Sequence, residues 1–600
     1  MVERNKKIEK LLSFPGGAQQ PPGLVASAAK MVPLTFLSII IVGILAFGIV
    51  DRGPWTGPDT TGTALIKFCL STFKQNSPLA CFFPNIYGVK LEHEAPLFFF
   101  ISAYIISAAE QAYSLILGDS LPLEYVDDFG RILQILCVLV SLIFLWRGTK
   151  ILGLRRESRP YDPLGIGPDA STFGNNLGTC AVLLTLSCLG LVSQWHEVGS
   201  EGFSFLFQAI CFFAMCQSPE KPKESAVIFS VGLVALFFGT SIHVSLSILL
   251  AAIFIFSFIY PWTLVKKSFL RSTFYFLTST TLFVVLIYQS DESQNFYVWI
   301  NGQLDLFELR PFYVVKNWLW TWWPLWPICL VMLYNLAKFE KFNQPHLKFL
   351  GILLITQSFF PLTGLLTNDG QKFVPIVPLA VMASFGLLFL PKIVADLLDW
   401  FALSLFTFLG FVVWFYWIAL HSGLPVEVFA NIKRAAPGIS KVVNTNDLIL
   451  GVIISLFWIY LILWRLKFIN PNIWRPVVLS AGGLGLTWAL LITLWGPALN
   501  INRGYQNIQA LLESFPKETI CIHRDDKKLI AIVAAHSEIK IVPFNKNLNK
   551  KLCRYLLVRG KPTYALVEEQ TWIKLSDTYR KSDSKKREPF TMYFRNRSNE

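Results

Sequence analysis

Charge is scarce in this chain. Asp, Glu, Lys and Arg make up 15% of its 600 residues, against roughly 25% in a soluble domain. So little polar surface could not cover one water-facing core. Soluble enzymes, secreted scaffolds and disordered chains are therefore excluded as descriptions of the whole. The ten cysteines form no CxxC pair and show no paired spacing. A zinc or redox cluster is accordingly not expected. Cys69, Cys137, Cys180, Cys188, Cys211, Cys216 and Cys329 lie in or beside apolar runs, where cysteine acts as a small hydrophobe. No Ala-x-Ala site follows the first apolar run, which reads as an uncleaved span rather than a signal peptide. No hydropathy repeat is seen, and the last hundred residues contain no glycine-rich phosphate loop.

What is present is apolar: 53% of residues are hydrophobic and 15% aromatic. Runs of about 20 apolar residues cross a bilayer. They fall at 33–50, 131–147, 177–195, 203–217, 226–242, 244–262, 273–289, 318–336, 348–366, 373–391, 398–420, 448–465 and 476–497. The chain reads as an α-helical polytopic membrane protein with about thirteen spans. The net charge is +14, of which residues 501–600 carry +9, from 20 Lys/Arg and 11 Asp/Glu. Three parts follow: an N-terminal segment 1–30, a transmembrane body 31–499 and a small α/β tail domain 500–600. In the tail, TICIH, IKIVPF, YLLVRG and TYALVEE read as strands, and NIQALLESF and KKLIAIVAAH as helices. Its positive charge suits anionic lipid heads, and no nucleic acid partner is expected.

Orientation follows from the basic loops. The N-terminus MVERNKKIEK places itself in the cytoplasm, and an odd number of spans then puts the tail outside. Inner segments on this scheme carry 22 Lys/Arg and 10 Asp/Glu, and outer loops other than the tail carry 10 and 18. One inner loop, PKIVADLLD, opposes the trend. Segment 96–118 is long enough to span, yet it holds Glu110 and Gln111. It is expected to lie in the outer interface, leaving a large first outer loop, 51–130.

Four polar motifs converge on the outer face. Asp59 follows Pro58 and opens a helix, where it could serve only as an N-cap. Glu92, His93 and Glu94 precede Pro96, as an acidic turn or a site. His196, Glu197 and Glu201 sit at the outer end of the third span. Lys372 enters the tenth span ahead of Pro375 and Pro378, and a lysine there can simply snorkel. Ionisable groups at a membrane cavity suggest chemistry when they cluster. A carboxylate beside a cation suits deprotonation of an acceptor hydroxyl while a lipid-borne phosphate departs.

The order of these motifs resembles the GT-C glycosyltransferases, in the branch of protein O-mannosyltransferases and lipid A aminoarabinose transferases (glycosyltransferase family 39 and relatives). Pro58-Asp59-Thr60 stands where that family has Pro-Asp-Glu. Gly88 and Glu92-His93-Glu94-Ala95-Pro96-Leu97-Phe98 stand for its Glu-Lys/His-Pro-Pro-Leu segment. Arg131 opens the next span, which ends WRGTKILGLRR. Lys372-Phe373-Val374-Pro375-Ile376-Val377-Pro378 fits the later (Lys/Arg)-(Tyr/Phe)-x-x-Pro-x-x-Pro pattern. Thr60 and the altered Glu-x-Pro-Pro segment are departures.

The resemblance implies an inverting transfer of a sugar from a polyprenyl-phosphate donor to a hydroxyl of a lipid, glycan or protein. Asp59 would be the general base. Lys372, with Arg131 or Arg310, would hold the donor phosphate. Glu92, His93, Glu94, His196 and Glu197 would shape the site or hold the acceptor. No cofactor is required, although Glu92, His93 and Glu94 are the candidates if a divalent metal takes part. The expected location is a bacterial inner membrane with the active site facing outward. A transporter or flippase, or a ligase, of lipid-linked oligosaccharides is the alternative. Lys372→Ala is expected to weaken donor turnover in membranes strongly, with Lys372→Arg retaining part of it. Normal turnover by Lys372→Ala would leave the lysine as a snorkelling residue.

Overall fold

The computed structural model describes residues 34–75, 78–117, 125–159, 167–260, 263–305, 309–338, 344–365, 374–467, 474–515, 519–544, 553–560, 572–580 and 589–595. The body is helical. Its first half holds α1 (Leu34–Leu45), α2 (Gly57–Lys74), a two-strand hairpin β1 (Asn85–Ile86) and β2 (Val89–Lys90), α3 (Pro96–Leu117), α4 (Tyr125–Leu154), α5 (Ala170–Leu186), α6 (Val192–Trp195), α7 (Glu201–Gln217), α8 (Pro222–Gly239) and α9 (Ile242–Phe254). There follow α10 (Thr263–Tyr288), α11 (Ser293–Leu304), α12 (Pro311–Thr321), α13 (Leu325–Lys338), α14 (Pro345–Leu362), α15 (Ile376–Gly386), α16 (Lys392–Ser422), α17 (Val426–Ala435), α18 (Thr445–Lys467) and α19 (Arg475–Arg503). Each apolar run read from the sequence overlaps at least one helix among the described residues. Eight helices among the described residues are long and apolar enough to cross a membrane. The chain is an integral membrane protein.

The tail holds α20 (Gln506–Glu513), β3 (Ile520–His523), α21 (Lys527–His536), β4 (Ile541–Phe544), β5 (Tyr555–Arg559), β6 (Trp572–Thr578) and β7 (Phe590–Arg595). Its five-stranded sheet has the order β4-β3-β5-β7-β6. β3 is parallel to β4 and β5, and β7 is antiparallel to β5 and β6. Three of the strands and both helices match the sequence reading. TYALVEE lies outside the described residues, and β6 and β7 were not anticipated.

Two readings are corrected. Cys69 is not a lone small hydrophobe: it is bonded to Cys81, stapling α2 to the turn after it, and Cys521 is bonded to Cys553 beside β3 and β5. The six free cysteines lie in or beside helices of the bundle. Gly153, which hydropathy puts in a loop after residue 147, is inside α4 instead. A Cβ there would meet the Gly174 backbone at 3.0 Å.

The acidic loop PKIVADLLD has its explanation in packing. Asp399, fully buried, takes Arg465 at 3.0 Å and Arg475 at 3.1 Å, and Arg475 also reaches Asp396 at 3.6 Å. The acids are neutralised by bases from α18 and α19, so a count along one loop misreads a site shared by three helices. Opposite, at the end of the bundle nearest the tail, α2 is clamped on two sides. Lys67 Nζ donates to the Ala535 carbonyl of α21 at 2.6 Å. On its other side α2 runs beside α3 in the same direction, with Gly62 facing Phe99 and Lys74 paired to Glu110 at 2.9 Å.

α2 also presses on the turn after α6. A Cβ on Gly62 would lie 1.8 Å from the Val198 carbonyl oxygen, so only glycine permits that approach. Gly62→Ala is expected to lower stability by about 1–3 kcal/mol, the scale of overpacking, measured as a drop in detergent-solubilised melting temperature. A second expectation concerns α4. It starts at Tyr125 beside the tail, and its 30 residues rise about 45 Å, more than the roughly 30 Å hydrocarbon core. Exposed Arg156 should therefore lie on the membrane side opposite the tail. Arg156→Cys should react with an impermeant thiol reagent only from that side. Labelling of Arg156→Cys and of the tail from the same side would overturn this path for α4.

Candidate active site

The first turn of α2 explains why Asp59 is available for tertiary contacts. Pro54, Gly57 and Pro58 break the chain after α1. Thr56 is the N-cap, its hydroxyl accepting from the Asp59 N–H at 3.3 Å. Asp59 is thus not the cap that local sequence allowed. It is the third helical residue, with its carboxylate turned inward, and it is 0% exposed.

Both oxygens of that carboxylate accept hydrogen bonds. Oδ2 accepts from Arg52 at 3.0 Å and from the Trp55 N–H at 3.2 Å, and Arg131 stands 3.7 Å away. Oδ1 accepts from the Val198 N–H at 2.9 Å. Burial alone would push the carboxyl pKa up, but Arg131, Arg52 and the two backbone donors outweigh it and hold Asp59 below the ordinary carboxylate range. The group is ionised.

The two arginines are fixed in turn. Arg52 donates to the His196 carbonyl at 2.8 Å and lies over the Trp55 ring at 4.2 Å. Arg131, 0% exposed, donates to the Arg52 carbonyl at 2.6 Å and to Asp128 at 3.1 Å. Trp55 Nε1 donates to Asn500 at the end of α19 at 2.7 Å, and Asn500 donates to the Asp51 carbonyl at 2.8 Å. Arg580 of the tail donates to the Trp55 carbonyl and stacks on Tyr505 at 4.7 Å.

Beside this cluster, between the segment 51–128 and the tail, lies a cavity of about 1050 Å³. The body contributes Asp51, Arg52, Lys67, Asp127 and Asp128 to its wall, and the tail contributes Glu513, His536 and Lys540. Asp51, exposed, has a left-handed backbone at φ 56°, a conformation that aspartate adopts more readily than most residues.

The residues singled out from sequence divide into groups. Asp59 and Arg131 meet. The turn bearing His196 and Glu197 also reaches them, through the His196 carbonyl and the Val198 N–H. The His196 ring points away, with Nδ1 at 2.7 Å from the Val192 carbonyl and the ring 4.9 Å from Trp488. Glu197 is pushed up to about 8 by burial and by the carboxylates of Asp59 and Glu201, so it is largely neutral near pH 7.

Glu92, His93 and Glu94 are placed elsewhere, between α11 and the tail. Lys527 pairs with Glu92 at 3.2 Å, Gln303 donates to the Glu92 carbonyl at 3.2 Å, and Trp299 donates to that of Glu94 at 3.1 Å. No group of His, Cys, Asp and Glu suited to a metal occurs among the described residues. Arg310 is exposed at the start of α12, apart from Asp59, and Lys372 lies outside the described residues. Sequence reading missed Arg52, Trp55, Asp128 and Asn500. Arg52 carried a signal, a cation seven residues before Asp59 where the first span ends. Asn500 carried none.

No family model matches the chain, and no curated protein is similar to it in sequence. Solved structures are similar to it in fold, two of them of ArnT. The crystal structure of ArnT from Cupriavidus metallidurans bound to undecaprenyl phosphate has a TM-score of 0.59 at 12% identity, over 94% of this chain and 98% of that one. ArnT from the same organism in the apo state has a TM-score of 0.53 at 13% identity, over 93% and 97%. A helical bundle carrying a small terminal sheet domain, matched over nearly the full length of both chains, gives this protein the fold seen in ArnT.

Proposed function

We propose that this chain is a membrane glycosyltransferase that moves a sugar from a polyprenyl-phosphate donor to an acceptor hydroxyl at the cavity between the outer loop and the tail. The observation that carries this reading is the ionised Asp59, held between two arginines beside that cavity in the fold seen in ArnT. In the reaction, the acceptor oxygen attacks the anomeric carbon and its proton passes to Asp59. The bond from that carbon to the phosphate oxygen breaks, the electron pair leaves with the lipid phosphate, and the anomeric configuration inverts. Lys372 remains our assignment for a second phosphate contact. Undecaprenyl phosphate, named with the ArnT structure, is the class of lipid we assign to the donor carrier.

We also assign the cavity to the outer side of a bacterial inner membrane. Two independent features support this. The basic residues concentrate in the other set of loops. Both cysteine pairs lie in the first outer loop and the tail, whereas the free cysteines lie in or beside the bundle helices, and disulfides persist in oxidising compartments. We place α3 along the outer surface, because its neighbour α2 lies under the tail domain.

Mass spectrometry of lipids and glycans from cells with and without the chain tests the activity. A polyprenyl-phosphate sugar should accumulate in its absence, and one glycan should lose that sugar. Unchanged lipids and glycans would overturn the assignment.

Asp59 needs a paired test, because its removal has two effects. Asp59→Asn should cut turnover by roughly a hundredfold or more, the scale of losing a general base. It should also cost about 3–5 kcal/mol, since two buried guanidiniums lose their anion. Asp59→Asn combined with Arg52→Gln should recover much of the stability and none of the turnover. A double variant with wild-type transfer would remove Asp59 as the base.

A further inference from the structure

In this structure Asp59 is closed to an acceptor: it is 0% exposed, and its Oδ2 is covered by Arg52 at 3.0 Å. Arg52 alone among the three charged groups of the cluster also lines the cavity. It is 7% exposed, and its Nε has no hydrogen-bond partner. A guanidinium has five donors in a planar fork, and leaving one unmade while buried is costly. Arg131 also keeps buried donors without a partner, its Nε and one Nη, while donating to two backbone carbonyls and Asp128; it differs from Arg52 in that it is fully buried and does not line the cavity. It holds Asp59 from behind and has no route outward.

Two of the wall's acids are paired: Asp127 stands 3.6 Å from Lys67, and Asp128 is 3.1 Å from Arg131. Asp51, Glu513 and Glu538 also line the wall, as do the cations Lys67 and Lys540. The Arg52 Nε is buried in this state, so an anion gains the bidentate contact that Asp59 does not offer only when the Arg52 side chain turns toward the cavity.

We infer that Arg52 is the receptor for the phosphate group of the lipid-linked substrate, and that by turning to the phosphate it uncovers Oδ2 of Asp59. This rests on the glycosyl-transfer reading above. Asp59 keeps Arg131 and the Val198 and Trp55 N–H groups, so it stays in place when Arg52 leaves. Losing one cation makes it a stronger base at the moment the donor is seated. Without donor, the base is closed to water and to acceptor. Arg52 is thus a substrate-binding residue that gates the base, and binding of donor precedes productive binding of acceptor.

The test reads binding and accessibility rather than turnover. Purified full-length protein is titrated with undecaprenyl phosphate, with undecaprenol, which lacks the phosphate, and with inorganic phosphate. In parallel, a carbodiimide with an amine nucleophile is used to modify carboxyls, and Asp59 is followed by peptide mass spectrometry. Wild-type protein should bind undecaprenyl phosphate, and Arg52→Gln should bind it at least about tenfold more weakly, with binding of undecaprenol unchanged. Asp59 should be shielded in the free wild-type protein, modified when undecaprenyl phosphate is present, and unaffected by undecaprenol. Opening by the lipid alone assigns the site to the lipid phosphate, and equal opening by inorganic phosphate assigns it to the phosphate group as such.

Wild-type affinity in a folded Arg52→Gln protein, or Asp59 still shielded with the lipid bound, would overturn the inference. If Arg52→Gln does not fold, the wild-type labelling decides alone, with Arg52→Lys expected to bind at an intermediate strength. Failure here, with the glycan and lipid changes still seen in cells, would remove the arginine gate and leave the transferase reading standing.

Discussion

One buried carboxylate holds the outer end of this protein together. Asp59 is reached by a guanidinium from the end of α1, a guanidinium from α4 and a backbone amide from the turn between α6 and α7. A charge taken out of water is costly unless it is paired and hydrogen-bonded, so these elements are not free to separate. The same demand fixes Trp55, on whose ring Arg52 lies, and through Trp55 the end of α19 and the tail. Gly62 is required because the amide at Val198 must come close enough to bond. The anion thus helps set the tail over the cavity, together with the Lys67 bond to Ala535 and the Lys527 pair with Glu92.

The two ends of the bundle handle charge differently. Around Asp399, two arginines from neighbouring helices neutralise an acid and line no cavity described here. Around Asp59, one of the two arginines faces a cavity of about 1050 Å³. Both are buried clusters of like composition, and both keep buried polar atoms without a partner. What separates a clamp from a site is access.

The fold was largely legible in the sequence because a bilayer demands long apolar helices, and composition reports them directly. That Asp59 and Arg131 meet was foreshadowed by their place after and at the start of spans. What could not be read has a common origin. Glu92, His93 and Glu94 stand together in the linear sequence, and the fold sets them at the seam between α11 and the tail. Cys69 looked like filler until the chain folded Cys81 beside it. Arg52 took its meaning from a carbonyl 144 residues away, and Asn500 from an indole 445 residues away. Such partners leave no local pattern. β6 and β7 were missed because antiparallel strands from the far end of the chain complete a sheet whose first strands are parallel.

The cavity has walls from the two ends of the chain, residues 51–128 on one side and 509–540 on the other. During synthesis the first wall is made early and waits while some four hundred residues of helix are threaded into the membrane. Until α19 is in place there is no Asn500 to hold Trp55, and until the tail has folded there is nothing opposite Arg52. A truncated or partly inserted chain therefore has no enclosed site at all. The cavity is thus completed late, because its second wall comes from the far end of the chain.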